Sequence, residues 1–222
     1  MALNYYMNII DTSTNIKDSS LDNSIENIPL FEIEPIKYEF SDSLITDIVF
    51  QSVASVKHFK HFEICKTINV FAMGESTQRA LNEVGIDSNT AAIPGSSSLN
   101  ELLGKKLIKR KFAIVKGLDG LDEVHNHVIK YGADAKNIVC YKRKKFFEYK
   151  EVRKKFNKAD IVIFSSTFAA QIFFENIYIT DSEISFLCIS ERIEEYINNL
   201  GYEAKTINYY SNDLLNEIKK TI

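Results

Sequence analysis

The chain has 222 residues, of which 45% are hydrophobic and 26% charged, and its net charge is −3. That length lies between one large domain and two small ones. The small net charge argues against a nucleic-acid-binding protein, and no apolar run approaches the roughly 18 residues that cross a bilayer, so neither nucleic acid nor membrane is expected as a partner.

The amino-terminal region predicts one strand followed by an irregular segment. Met7–Ile10 is apolar and predicts a strand, whereas poor helix formers crowd residues 18–24, so any helix there is short or irregular. The first basic residue is Lys17, so the charged region of a secretory signal is missing and a cytoplasmic protein is expected. Two prolines then mark residues 28–40 as an extended linker that is unsuited to the centre of a sheet.

Two segments share a pattern of strand, hydroxyl and helix. Residues 47–57 read DIVFQSVASVK, and residues 160–171 read DIVIFSSTFAAQ. Each short apolar run is typical of a strand that is buried on both faces of a parallel sheet. By the simplest interpretation Ser52, Ser166 and Thr167 cap the helices that follow. By the alternative, their hydroxyls and the free amides of the first helical turn bind an anion at the carboxyl end of the strand.

Strands and helices alternate through the rest of the chain. Each of these two segments is followed by a second strand, a turn and an amphipathic helix, with the first turn at Gly74 to Thr77 (including Ser76) and the second at Ser190 and Glu191. Thr77 is expected to cap the first of these helices. Gly85 and Gly201 end these helices, as glycine in a left-handed conformation commonly does. Residues 111–144 repeat the alternation, with Lys116 and Gly117 in the turn after the strand. Such alternation predicts parallel sheets with crossover helices, arranged in two α/β domains.

Positive charge is concentrated in one segment. Residues 141–158 hold nine Lys or Arg against two Glu. A solvated face is the simpler interpretation of such a run, and attraction of a polyanionic small molecule is the alternative.

Motifs for metals, disulfides and nucleotides are weak. Cys65, Cys140 and Cys188 are odd in number and far apart, which favours reduced core residues. His58, His61 and Cys65 have helical spacing but no distant fourth ligand, so no zinc site is expected. The glycine-bearing segment after Lys116 lacks both phosphate-binding glycine patterns. We therefore predict neither a metal nor an organic cofactor.

The order and spacing of these motifs resemble the uroporphyrinogen-III synthase family from about Ile28 to the carboxyl end. The segments that carry the resemblance are Gln51–Ser52, Gly74 with Thr77, Lys116–Gly117, Val139–Tyr141, Ser165–Ser166 and the closing segment FLCISERIEEYINNLGY. The resemblance implies two flavodoxin-like parallel-sheet domains joined by two extended linkers, with a ligand cleft between them. Transferred to this chain, residues 1–35 plus 149–222 form the terminal domain and residues 36–148 the inserted domain.

The resemblance also implies a reaction. The family is expected to close the linear tetrapyrrole hydroxymethylbilane with loss of water and inversion of its last pyrrole ring, as a hydro-lyase without a cofactor. Tyr141 matches the tyrosine that is proposed to assist loss of the hydroxyl. The resemblance assigns substrate binding to Ser52, Gly74, Ser76, Thr77, Lys116, Gly117, Ser166, Thr167 and Ser190. A monomer is expected, with hydroxymethylbilane synthase as a further candidate partner.

Some positions depart from the family pattern. Asp11–Ser13 stands where Thr-Arg-Pro is usual, Gln51 replaces Thr, Lys116 replaces Arg, and Ile193 stands where a second Thr-Ala is expected. An inactive relative, or a non-catalytic two-domain cleft protein that binds or senses a ligand, is therefore the alternative. A sugar or nucleotide enzyme on a flavodoxin-like scaffold is disfavoured by the missing phosphate motifs.

Overall fold

A computed structural model describes residues 7–14, 24–41, 44–179, 183–211 and 213–222. Most of the irregular segment predicted after Ile10 lies outside these residues. The strands are β1 (Ile9–Asp11), β2 (Ile25–Asn27), β3 (Phe31–Pro35), β4 (Asp47–Phe50), β5 (Asn69–Ala72), β6 (Asn89–Thr90), β7 (Lys111–Gly117), β8 (Asp134–Lys145), β9 (Ile161–Phe164), β10 (Ser185–Cys188) and β11 (Ala204–Thr206). The helices are α1 (Val53–His58), α2 (Glu75–Glu83), α3 (Ser96–Leu103), α4 (Glu123–Lys130), α5 (Lys150–Phe156), α6 (Thr167–Asn176), α7 (Glu191–Asn199) and α8 (Leu214–Thr221). None of the helices within these ranges is both long and apolar enough to span a membrane.

The chain divides into two units. Met1–Glu32 together with Lys144–Ile222 forms the terminal unit, and Ile33–Arg143 forms the inserted unit. The chain passes from one unit to the other within β3 and returns within β8. The boundaries predicted from the sequence, after residues 35 and 148, lie a few residues further along the chain.

Both sheets are mainly parallel, which confirms the predicted fold class. One sheet has the strand order β11-β10-β9-β1-β2, and the other has the order β3-β8-β7-β4-β5-β6. The pairings of β1, β4, β5, β7, β9 and β10 with their neighbours are parallel. The linker strand β3 lies at a sheet edge, where Pro35, which has no amide hydrogen, is tolerated.

The apolar strands β4 and β9, each of which is followed by a hydroxyl residue and a helix, are buried on both faces, as predicted. All four residues of β4 and all four of β9 are buried. Ile48 and Phe50 belong to one hydrophobic cluster, and Val49 belongs to another with Leu99 on the opposite face. This burial on both faces explains why the strand reads as a continuous apolar run.

The predicted helix-ending glycines are confirmed. Gly85 and Gly201 each come two residues after the last helical residue, with φ of 76° and 90°. A side chain at these positions would be strained, which is why glycine ends the helix there.

Asp47 anchors the beginning of β4 at the amino edge of its sheet. Its side chain is fully buried and accepts hydrogen bonds from Arg110 Nε at 2.8 Å, Asn69 Nδ2 at 2.9 Å and Thr46 Oγ1 at 2.6 Å. The donors from Arg110 and Asn69 tie the beginning of β4 to the residue that precedes β7 and to the first residue of β5.

Replacing Asp47 by Ala is expected to lower the free energy of unfolding by about 3 kcal/mol, because the Arg110 guanidinium loses its buried partner. Urea denaturation measures the change. Asp134→Ala is the matched control, since Asp134 also begins a strand but is exposed, and we expect it to change stability by no more than about 0.5 kcal/mol. Equal losses of unfolding free energy in the two variants would show that the hydrogen bonds of Asp47 do not contribute to stability.

Candidate functional site

Most predicted site residues of the inserted unit lie along one edge of its sheet. β8, β7, β4 and β5 are parallel neighbours, so their carboxyl ends meet at the same edge. The residues at this edge, in strand order, are Tyr141 in β8, Lys116 and Gly117 at the end of β7, Ser52 after β4 and Gly74 after β5. Lys116 and Gly117 were predicted in the turn after β7 and are instead the last two residues of that strand, because β7 pairs with β8 as far as Gly117. Ligands of parallel α/β sheets characteristically bind outside such carboxyl ends.

Ser52 is the N-cap of α1. Its Oγ accepts a hydrogen bond from the Ser55 amide at 3.0 Å, and Ser55 Oγ accepts one from the Ser52 amide at 3.1 Å. This reciprocal pair satisfies two amides that helix formation leaves free. The capping role predicted for Ser52 is therefore confirmed.

The Tyr141 hydroxyl lies against Ser52. The Tyr141 Oη and Ser52 Oγ atoms are 2.9 Å apart. The pairing of β7 with β8 shifts register after Lys116, so that Gly117 is opposite Tyr141, and a Cβ added at Gly117 would lie 2.6 Å from Tyr141 Cζ. Register shifts of this kind re-aim a side chain. The register and the missing side chain of Gly117 together fix the position of the tyrosine ring.

The electrostatic surroundings keep Tyr141 protonated. Burial raises the pKa of Tyr141 above its ordinary value, and the hydrogen bond with Ser52 and the charge of Arg143 oppose this only in part. Ser52 Oγ already accepts from the Ser55 amide, and when it donates its own proton to Tyr141 Oη, the tyrosine proton remains available to a third group. The pair can therefore present a polarised phenol to a ligand.

His58 lies beside this phenol. Its ring centroid is 6.1 Å from that of Tyr141. Burial, followed by the charges of Lys57 and Lys60, lowers the pKa of His58 below its ordinary value. His58 is therefore mainly neutral near pH 7.

The charge of Lys116 is paired within the protein. Its side chain is only 4% exposed, and its Nζ lies 2.6 Å from Asp122 Oδ1 and 3.3 Å from the Leu121 carbonyl oxygen. The hydrogen bond from Lys116 is the largest cause of the lowered pKa of Asp122. The Lys116 ammonium, which was predicted to bind substrate, thus forms an ion pair with Asp122 at the end of the loop that follows β7.

The predicted turn from Gly74 to Thr77 is wrong, because α2 already begins at Glu75 with Gly74 as its N-cap. Ser76 is half-buried in the first turn of the helix, and Thr77 is a buried helical residue rather than the cap. A Cβ at Gly74 would lie 2.9 Å from Pro94 Cβ, so no side chain fits at the cap position. The cap position therefore supplies no side-chain donor, and the backbone amides of the first turn remain.

The second segment with the pattern of strand, hydroxyl and helix, residues 160–171, lies in the terminal unit. Ser166 is the N-cap of α6, and its Oγ accepts from the Ala169 amide at 3.1 Å, which confirms its predicted cap role. Thr167, which was also predicted as a cap, is instead the first residue of that helix. Ser190 is the N-cap of α7, which already begins at Glu191, so the predicted turn does not include Glu191. β9 and β10 are parallel neighbours, so these three half-buried hydroxyls share one sheet edge.

Comparison with protein families decides the affiliation. The family model described as uroporphyrinogen-III synthase HemD matches residues 23–209, which is most of the chain. This chain belongs to the uroporphyrinogen-III synthase family. No curated protein sequence matches it well enough to count as a relative.

Solved structures of uroporphyrinogen-III synthases have the same fold. The enzyme described as uroporphyrinogen-III synthetase from Helicobacter pylori 26695 is 14% identical, with a TM-score of 0.70 over 96% of this chain and 98% of that chain. A mutant uroporphyrinogen III synthase from the extremely thermophilic bacterium Thermus thermophilus is 12% identical, with a TM-score of 0.63 over 96% of this chain and 98% of that chain. Both agree with the two-domain α/β architecture.

Two departures from the uroporphyrinogen-III synthase pattern have structural partners. Gln51 Nε2 donates to the Leu121 carbonyl at 3.1 Å, so it contacts the loop after β7. Asp11, which begins the segment that replaces Thr-Arg-Pro, is buried and accepts hydrogen bonds from the Ser13 amide and the Tyr209 hydroxyl. Asp11 therefore ties β1 to the segment after β11.

The basic run is largely balanced by acidic side chains. Five lysines of this run form ion pairs, namely Lys142–Glu34 at 3.1 Å, Lys144–Glu32 at 3.0 Å, Lys145–Glu175 at 2.8 Å, Lys154–Glu151 at 2.7 Å and Lys155–Glu26 at 3.1 Å. Two of these acids come from the outgoing linker strand β3, the sheet neighbour of β8. This pairing favours the solvated-face interpretation over attraction of a polyanion.

The cysteines are free and buried, as predicted. Burial raises the pKa of Cys65 and Cys140 to about 11 and that of Cys188 to about 12, so all three are thiols at neutral pH. Within the described ranges, no three His, Cys, Asp or Glu residues are grouped to hold a metal ion.

Sequence reasoning missed Asp122 and Asn137 as parts of this site. Asn137 Nδ2 donates to Asp122 Oδ1 at 3.0 Å, beside the Lys116 ammonium. Asp122 follows Lys116 by six positions in a glycine-bearing segment, so a Lys-to-Asp pair across a tight turn was a signal available in the sequence. Asn137 has no such local signal, because it comes from the next strand.

Proposed function

We propose that this chain is a uroporphyrinogen-III synthase that acts on hydroxymethylbilane without a cofactor. It would release water, invert the last pyrrole ring through a spiro intermediate and close the macrocycle. Family membership supports the reaction, and the 2.9 Å contact between Tyr141 and Ser52 is the observation that supports the catalytic assignment.

Tyr141 is the proposed proton donor. The pyrrole nitrogen pushes electrons into the ring as the carbon–oxygen bond breaks, so a weak acid suffices. The departing hydroxyl takes the phenolic proton and leaves as water, while Ser52 donates to the oxygen that retains the charge. Closure by the last ring then releases a proton, which restores the phenol. The reaction is thus balanced as substrate to macrocycle plus water.

The larger task is to choose which carbon of the last ring attacks. Closure through its free carbon gives the type I isomer, and closure through its substituted carbon leads to type III. Holding the ring in one orientation is a positioning problem. The substrate bears eight carboxylates, and the helix starts after β4 and β5 supply backbone amides as donors.

One assay tests this proposal directly. The purified chain is supplied with hydroxymethylbilane, the products are oxidised, and the type I and type III isomers are separated. Because the linear substrate closes by itself to type I, we expect the chain to raise the fraction of type III. A product mixture identical to that of the uncatalysed reaction would favour a non-catalytic ligand-binding protein or an inactive relative.

The two capping serines provide a second test. Ser52→Ala and Ser166→Ala are each expected to lower stability by about 1 kcal/mol through loss of a cap, and to raise KM for hydroxymethylbilane. Ser52→Ala should also lower kcat, because Tyr141 loses its hydrogen-bond partner. Initial-rate kinetics on the type III product measure both parameters.

Asp213→Ala is the matched control for these serines. Asp213 caps α8 through a hydrogen bond from the Asn216 amide at 3.0 Å, so its loss should affect stability alone. Unaltered KM and kcat values in both serine variants would mean that these hydroxyls serve only as helix caps.

The remaining expectations stay predictions. These are the ligand cleft, a monomeric state, a cytoplasmic location, a contact with hydroxymethylbilane synthase, and substrate contacts of Gly74, Ser76, Thr77, Gly117, Ser166, Thr167 and Ser190. The readiness of the substrate to close unaided gives a chemical reason for direct transfer from the enzyme that makes it.

A further inference from the structure

The loop of residues 118–122 joins β7 to α4 beside Tyr141. Its first amide, that of Leu118, donates to the Tyr141 carbonyl oxygen at 2.9 Å, and the Gly120 amide donates to the Gly117 carbonyl oxygen at 3.0 Å. The loop therefore continues directly from the glycine on which the tyrosine ring packs.

Two side chains from neighbouring strands hold the far end of this loop. Gln51 Nε2 and Lys116 Nζ both donate to the Leu121 carbonyl oxygen, at 3.1 and 3.3 Å. Lys116 Nζ also binds Asp122 Oδ1 at 2.6 Å, and Asn137 supports the same carboxylate oxygen. The loop is thus fixed at both ends by groups of the sheet edge.

Gly120 shows how closely the loop covers these side chains. A Cβ at Gly120 would lie 2.9 Å from Lys116 Cε and 3.0 Å from Gln51 Oε1. The loop backbone therefore rests directly on the two side chains, with no room for a substrate group between them.

Asp122 contributes to this arrangement instead of capping its helix. It occupies the N-cap position of α4, yet its side chain makes no capping hydrogen bond. Its carboxylate binds Lys116 instead, and that interaction lowers the pKa of Asp122. Leu118 and Leu121 remain 56% and 48% exposed, so the fixed loop presents apolar surface.

We infer that Lys116 and Gln51 are positioning residues that hold loop 118–122 as a fixed wall beside Tyr141. The wall faces the pyrrole rings of the substrate with Leu118 and Leu121 and restricts the orientation of the last ring. This inference rests on the proposed function. It gives Lys116 a different role from the carboxylate binding expected from the family resemblance.

Lys116→Met and Asp122→Asn test the inference together. Both variants break the same ion pair, so each is expected to lower kcat for the type III isomer about tenfold and to raise the fraction of type I, with KM nearly unchanged. The double variant should be no worse than either single variant, because the two substitutions remove one interaction. Lys106→Met is the control, since Lys106 is exposed, and it should behave as the unaltered chain does.

A direct contact between Lys116 and a substrate carboxylate predicts a different result. In that case Lys116→Met raises KM, whereas Asp122→Asn frees the ammonium and leaves KM unchanged or lowered. Observing this split between the two variants overturns the positioning role.

Hydrogen exchange gives a readout that needs no substrate. The Leu118 and Gly120 amides should exchange about tenfold faster in Lys116→Met and in Asp122→Asn, while the β4 amides keep their rates. Unchanged exchange at Leu118 and Gly120 overturns the inference. If exchange is faster but the chain makes no type III isomer, Lys116 still holds loop 118–122 in place. That result would refute the proposed function without refuting the role of Lys116 in positioning the loop.

Discussion

Replacing Tyr141 by Phe is expected to slow formation of the type III isomer on the order of 10²-fold, because the departing hydroxyl loses its proton donor. Phe keeps the ring that packs on Gly117, so the free energy of unfolding should fall by no more than about 1.5 kcal/mol, the usual worth of one hydrogen bond. Initial rates of type III formation and urea denaturation measure the two effects.

The raised pKa of Tyr141 fixes the sign of its pH dependence. The protonated phenol is the active form, so its contribution is present at low and neutral pH. It should be lost only as pH rises above about 10, the ordinary tyrosine value. In Tyr141→Phe this alkaline loss should disappear.

Tyr38→Phe is the matched control for Tyr141→Phe. The Tyr38 hydroxyl is also in the inserted unit and also makes a hydrogen bond, accepting from the Lys60 amide at 2.8 Å. Its removal should leave the rate unchanged. Equal rates for Tyr141→Phe and Tyr38→Phe would remove Tyr141 from the chemistry.

The fold was predictable because its strongest signals are local. The runs at β4 and β9 are apolar because both faces of each strand are buried, and a serine follows where a helix needs a cap. Thr77 was wrongly predicted as a helix cap, because the correct cap depends on a contact with a residue distant in the sequence. Threonine is a common cap, but the cap position here packs on Pro94 and admits only glycine.

The site was predictable only in part because its contacts join distant residues. Ser52 and Tyr141 are separated by 89 positions, and their hydrogen bond depends on the neighbouring order of β4, β7 and β8. The sequence identified both residues through family resemblance, but it carried no sign of the bond between them. Likewise, the sequence shows the charge of Lys116 near the end of a strand, but it does not show that the Asp122 carboxylate pairs with it.

Gly117→Ala is expected to slow formation of the type III isomer by displacing the Tyr141 ring. The new methyl group would lie 2.6 Å from Tyr141 Cζ and 3.0 Å from its hydroxyl oxygen, so the ring has to move. A displacement of about 1 Å can reduce turnover about 10²-fold, and the overpacking should also lower the free energy of unfolding by about 1–3 kcal/mol. Kinetics on the type III product and urea denaturation measure both changes.

Gly85→Ala separates the loss of activity from the loss of stability. Gly85 has a φ of 76°, with no atom within 4 Å of an added Cβ, so alanine there is strained but touches nothing. It should lower stability by about 1–2 kcal/mol and leave the isomer ratio unchanged. The decisive combination is Gly117→Ala with Tyr141→Phe. If Gly117 acts by placing the phenol, the double variant is no slower than Tyr141→Phe, whereas a further large loss of rate would mean that Gly117 contacts the substrate independently.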